Sequence, residues 1–160
     1  MATKFNKYIV HIYANNTLGG NFMERGLLYF MYGNLQMGTL TTKHLIKICP
    51  DEKLRASLLE DLHAMEKFEN AILALKDSNE QLKPVNSIVE KNTELGIDMK
   101  TLFSKDTDKL CKMLVTGYEK GIESLNENMA KHKNESDEAI QLAKGYMNFL
   151  KECRAKYKGF

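Results

Sequence analysis

The segment Glu60-Asp61-Leu62-His63 places a glutamate and a histidine three positions apart, the spacing with which di-iron helical bundles present two metal ligands from one helix. Residues three apart share one side of a helix, so a carboxylate and an imidazole at that spacing can converge on a single ion. Such a centre needs two of these pairs and a further glutamate from each of two other helices. No other histidine in the chain has a glutamate three residues before it, and the first helix offers only Glu24, at its very start. Helical phase adds a second objection. With the face that runs through Leu54, Leu58, Leu62, Met65, Phe68, Ile72 and Leu75 turned inward, Glu60 and His63 lie roughly 120° or more away and point to water. Glu60 and His63 are thus the metal candidates of the chain, and the expectation for them is a solvated face with no metal. Asp61 and Glu69 fall nearer the inward edge and are the better candidates for a buried polar contact.

The remaining chemistry-bearing residues are dispersed. His11, His44, His63 and His132 have no mutual spacing suited to zinc. No G-x-S-x-G, phosphate-binding or dinucleotide-binding fingerprint occurs. Cys49, Cys111 and Cys153 are single, widely spaced and odd in number, which supports neither a disulfide framework nor a zinc ribbon. Each falls on or beside an apolar stripe, so they are expected as small buried hydrophobes of a reducing, cytoplasmic compartment. No apparatus for nucleophilic catalysis and no cofactor site is visible. Gly117-x-x-x-Gly121, flanked by Met113 and Leu125, would let two helix backbones approach closely. The expected contact is within the bundle, with a subunit interface as the alternative. The nine methionines mostly follow the apolar stripes and read as core filling first and adaptable binding surface second.

The elements that must position these residues are almost all helical. Leu27, Phe30, Met31, Asn34, Met37, Gly38, Thr41, Leu45 and Ile48 share one side of a first helix over 24–49. Pro50 ends it and suits the first position of a second helix running to about Lys76, with Asp51 and Glu52 in its first turn. Two helices joined so tightly fold back on each other as an antiparallel pair. From Val85 to Leu125 the apolar residues keep one helical phase. Ser104, a favoured capping residue, suggests a break there, giving one piece over 85–103 and another over 105–131. After a turn at Asn134-Glu135-Ser136, a last helix over 137–157 buries Ala139, Ala143, Tyr146, Phe149, Leu150, Cys153 and Tyr157. Residues 1–22 differ in kind, with a strand-like stretch at Tyr8–Tyr13 and then a turn-rich polar run. They form a short non-helical N-terminal extension beside a bundle domain over 23–160.

Charge removes further classes of function. The 160 residues carry 23 basic and 21 acidic groups for a net charge of +2, and only Arg25, Arg55 and Arg154 are arginines. Without a polybasic module or a set of bidentate guanidinium groups, nucleic acid is not an expected partner. The cations clustered from Lys144 to Lys158 complement a helix C-terminal dipole. No apolar run approaches the ~18 residues of a membrane span.

The C-terminal half also carries a resemblance. Gly96-Ile97-Asp98-Met99-Lys100-Thr101-Leu102, then Met113-Leu114-Val115-Thr116-Gly117 and Gly121-Ile122, lead into a polar turn and an amphipathic helix that ends in lysines. This sequence resembles a family of small uncharacterised bacterial helical-bundle proteins, ferritin-like in outline. Tyr32-Gly33-Asn34-Leu35-Gln36-Met37-Gly38 and the helix pair that it opens are similar to the family's N-terminal half. The resemblance covers about Met23 to Tyr157. It implies an all-α, antiparallel four-helix bundle, with a fifth helix where the third is broken near Ser104. Members of the family begin near Met23, so residues 1–22 are expected as an upstream extension or a misplaced start. Relatives tend to carry a histidine and a glutamate, three apart, in the segment that matches Lys105 to Met113. Here Lys109 and Lys112 hold those places, and a function that rests on the two side chains would be lost or altered.

The expectation that follows is a non-catalytic cytoplasmic bundle that acts as a homo-oligomer or through a protein partner. The alternative is a degenerate ferritin-like domain with metal-binding or oxidoreductase activity.

Overall fold

The structure, a computed structural model, describes residues 26–76, 82 and 106–160. Within these residues the chain forms four helices and no strand: α1 (Leu27–Ile48), α2 (Glu52–Leu75), α3 (Thr107–Lys131) and α4 (Asp137–Lys158). The all-α expectation holds for them, and none of these helices is long and apolar enough to cross a membrane. The N-terminal extension 1–22, the helical piece expected over 85–103 and the break at Ser104 lie outside the described residues.

Each helix starts where a carboxylate or hydroxyl can accept an otherwise orphaned backbone N–H. Asp51 accepts from Leu54 N at 2.7 Å and caps α2. Pro50 therefore stands one residue outside the helix rather than at its first position, because the aspartate after it is the better cap. Arg55 Nη2 donates back to the Cys49 carbonyl at 2.5 Å, which ties the connection between α1 and α2 to the first turn of α2. At α3 the cap is Asp106, accepting from Lys109 N at 3.2 Å, so the helix begins two residues later than the expected 105. Ser136 caps α4 through Ala139 N at 3.2 Å, with Asp137 and Glu138 in the first turn. α1 begins at Leu27 rather than 24, and Gly26 before it has no side chain to cap with. Its cap comes from elsewhere: Leu27 N donates to Glu135 Oε1, in the turn between α3 and α4, at 2.8 Å.

α1 packs against all three other helices, α3 packs against α4, and α2 packs against α4. That is why α1 departs from the single stripe read in its sequence. From Leu27 to Gln36 every residue except the half-buried Phe30 is buried, and further along it is Thr39 and Thr42, not Thr41, that are buried. Thr39 and Thr42 turn their hydroxyls to Met65 Sδ at 3.8 and 4.0 Å across the contact with α2. On α2 the buried positions are Leu54, Leu58, Asp61, Met65 and Ile72, a four-three spacing of the kind that forms a packing seam. The inward face is rotated toward Asp61 relative to the expected one, which leaves Leu62 half-buried and Leu75 exposed. Phe68 packs against Tyr146 and Phe149 of α4, with ring centroids 5.3 and 5.5 Å apart. Between α3 and α4 the rings of Tyr118 and Tyr157 stack at 5.9 Å and 5°.

Candidate functional site

Two adjoining features occupy the middle of the four helices, and Tyr118 belongs to both. The first is a buried polar cluster around Asp61. Its seam position puts the residue in the core with 3% of its surface exposed, and a carboxylate there must be hydrogen-bonded or paired. Tyr118 donates to Asp61 Oδ2 at 3.3 Å, Tyr157 donates to the same oxygen, and the Lys156 ammonium pairs with Oδ1. Lys156 is thus a partner for the buried acid as well as a cation in the last turn of α4. Burial above all, followed by Cys153 and Asp61, pushes the Tyr118 phenol well above its usual 10.0. Burial and then the Asp61 carboxylate push Tyr157 up in the same direction. The two hydroxyls therefore stay protonated and act as donors. Burial and the same carboxylate push the Cys153 thiol up to about 12, while burial, then Asp108, raises Cys111. These thiols lack the thiolate that a nucleophile needs at neutral pH. Cys49, Cys111 and Cys153 are free and buried, as expected of small hydrophobes.

The second feature is a cavity of about 80 Å³ to which all four helices contribute. Three methionines, Met37, Met65 and Met113, form much of its wall, and Gly38, Gly117 and Gly121 make room for it. Asn34 of α1 and Tyr146 of α4 bring polar atoms to it. The Tyr146 hydroxyl donates to Asn34 Oδ1 at 2.8 Å. Asn34 Nδ2 is buried and has no acceptor among the described residues. An unpaired buried donor costs about 1–3 kcal/mol, so this amide is held ready at a price in stability.

The glycine pair is explained by the cavity. A β-carbon at Gly117 would meet nothing within 4 Å, so no neighbouring helix presses on it, contrary to the close approach expected from the spacing. At Gly121 a β-carbon would stand 3.6 Å from Leu150 Cδ1 and 3.8 Å from the Asn34 amide, which is ordinary contact. Small residues on a helix can admit either a second backbone or an empty space, and here they line a space.

Glu60 and His63 are both exposed. His63 is 3.8 Å from Glu66 with 69% of its side chain in solvent, and among the described residues no group of three or more histidine, cysteine, aspartate or glutamate side chains is placed to hold a metal. Lys109 and Lys112 are exposed on α3. The two acids picked out at the inward edge do make buried polar contacts. Besides Asp61, the half-buried Glu69 accepts from Gln36 Nε2 at 2.5 Å, and the Tyr32 phenol beside it is raised by burial and by that carboxylate. No protein-family model, curated protein or solved structure matches the chain. Function has to be read from the site itself.

Sequence reasoning missed the parts of Asn34, Lys156, Tyr118 and Tyr157. A signal was present for two of them. Asn34 is the amide in an otherwise mostly apolar stripe, and an aspartate at a seam position demands a cation, which the lysine-rich end of α4 supplies.

Proposed function

We propose that this chain is a non-catalytic helical bundle, antiparallel and ferritin-like in outline, that works by binding a small molecule between its helices. The observation that carries the reading is the cavity itself, a space walled largely by methionine, leucine and glycine, with a residue in its wall whose buried hydrogen-bond donor is unpaired among the described residues. Flexible, polarizable methionines adapt to an occupant better than branched side chains do. The order of contacts supports the antiparallel arrangement: Gln36 meets Glu69, Thr39 and Thr42 meet Met65, and Cys49 meets Arg55. The protonated state of Cys153 and of both tyrosines of the cluster favours a structural role for them over a catalytic one. Three free, buried thiols fit a cytoplasmic setting. Binding inside the bundle takes precedence over self-association because the glycine pair that suggested an interface lies on the cavity wall.

Xenon is the direct probe, since it enters dry apolar cavities without needing a specific partner. In protein labelled with carbon-13 at the methionine methyls, dissolved xenon should shift the signals of Met37, Met65 and Met113 saturably and leave Met129 in place. Gly117→Leu, which puts a side chain into the space, should remove the response. Uniform shifts of all methionines, or none, would sink the reading.

A further inference from the structure

We infer that the cavity selects a compact neutral molecule bearing a carbonyl or similar hydrogen-bond acceptor, and that Asn34 Nδ2 is the group that recognises it. The inference rests on the reading of the cavity as a binding site. Tyr146 donates to Oδ1 of the amide at 2.8 Å, which engages the acceptor end and leaves Nδ2, on a residue that lines the cavity, as the unpaired end with two N–H groups. Asn34 is 6% exposed and its Nδ2 has no acceptor among the described residues. A side chain at Gly121 would lie against the amide, since its β-carbon would stand 3.8 Å from both Nδ2 and Oδ1, and that side chain is missing. Among the described residues none that lines the cavity carries a charge, so an ion would enter without compensation from them and a neutral molecule is favoured.

Size follows from the volume. An apolar cavity of about 150 Å³ holds benzene, so about 80 Å³ takes roughly three non-hydrogen atoms, and the open side of the space leaves room for a molecule of about five. Water is the competing occupant. A buried water makes two to four hydrogen bonds, whereas the Thr42 hydroxyl beside the cavity is already turned to Met65 Sδ and most of the remaining wall is methionine, leucine and glycine. A ligand with one acceptor and an apolar body matches such a wall better.

Butanone and 2-methylbut-1-ene form a pair of nearly equal shape in which only the ketone accepts a hydrogen bond. Their affinities for the wild type and for Asn34→Leu are measured by titration of the methionine methyl signals. Comparing each probe between the two proteins cancels its transfer from water. The expected result is a loss of about tenfold for butanone in the variant, the equivalent of one hydrogen bond, with the alkene unchanged or tighter. Equal changes for the two probes would overturn the role of Asn34 and leave the cavity reading standing. Failure of both probes to bind the wild type would overturn both. Where Asn34→Leu does not fold, butanone labelled at its carbonyl carbon gives the answer in the wild type alone. A bound carbonyl resonance downfield of its position in hexane supports the hydrogen bond, and a resonance at the hexane position refutes it.

Discussion

Replacing Asp61 by alanine should be among the most damaging single changes available to this protein, and the cost can be built from its partners. The carboxylate accepts from Tyr118 and Tyr157 and pairs with Lys156. In Asp61→Ala both phenol hydroxyls lose this acceptor, and a buried donor left without one costs about 1–3 kcal/mol, so the two together cost about 4 kcal/mol. Lys156 adds little, since 31% of its side chain is exposed and the freed ammonium can turn to water. A loss of that size is well above the ~1 kcal/mol of an average substitution. The reasoning also fixes a rescue. In the triple variant Asp61→Ala, Tyr118→Phe, Tyr157→Phe the orphaned hydroxyls are gone, and about 2 kcal/mol or more should return. Urea unfolding at neutral pH measures both quantities as shifts of midpoint at constant slope. A single variant that loses less than about 1 kcal/mol, or a triple variant no more stable than the single, would show that the hydroxyls do not depend on the carboxylate.

Four further outcomes follow from the same structure. Gly117→Ala should stabilise by about 1 kcal/mol, the helix preference of alanine over glycine, because its β-carbon enters open space; thermal melting that falls instead would restore the close-packing explanation. Glu135→Ala should cost about 1 kcal/mol by removing the acceptor at the start of α1. Gly26→Ala should cost about 1–2 kcal/mol, since Gly26 has φ +88° and a β-carbon there would stand 2.9 Å from Glu135 Oε1; chemical denaturation of both variants checks the pair. Finally, stability should fall in alkali. Cys153 titrates near 9.0 when unfolded and near 12 when folded, and the folded pKa values of Tyr118 and Tyr157 lie above 10.0. The unfolded chain therefore releases protons that the native one keeps, and each group contributes a decline of up to about 1.4 kcal/mol per pH unit. The decline begins near pH 9 with Cys153, is joined near pH 10 by the tyrosines, and is complete for Cys153 near pH 12. Urea midpoints across that range should drop, and Cys153→Ala should flatten the first step.

The helices were legible because apolar periodicity and capping residues are local signals. Ser136, in the turn expected before the last helix, is the cap of α4, and the outward direction of Glu60 and His63 followed from phase alone. Asp61 was legible only as an edge position, since the true seam includes it and excludes Leu75, and the choice between those two faces is made by the helices packed against α2, not by α2 itself. The burial of α1 on several sides was hidden for a similar reason: three neighbours surround it, and a stripe records only one. Gly117 and Gly121 were visible but ambiguous, because a missing side chain marks proximity and vacancy alike. Glu135 as the cap of α1 had no local trace at all.

That last contact bears on the order of folding. α2, α3 and α4 each carry their own acceptor within three residues of the amide it serves, whereas α1 borrows one from 108 positions away. On a ribosome, α1 emerges long before Glu135 has been synthesised, and through that interval its first turn has an open amide and a glycine before it. The start of α1 gains its cap only once the turn between α3 and α4 has formed beside it.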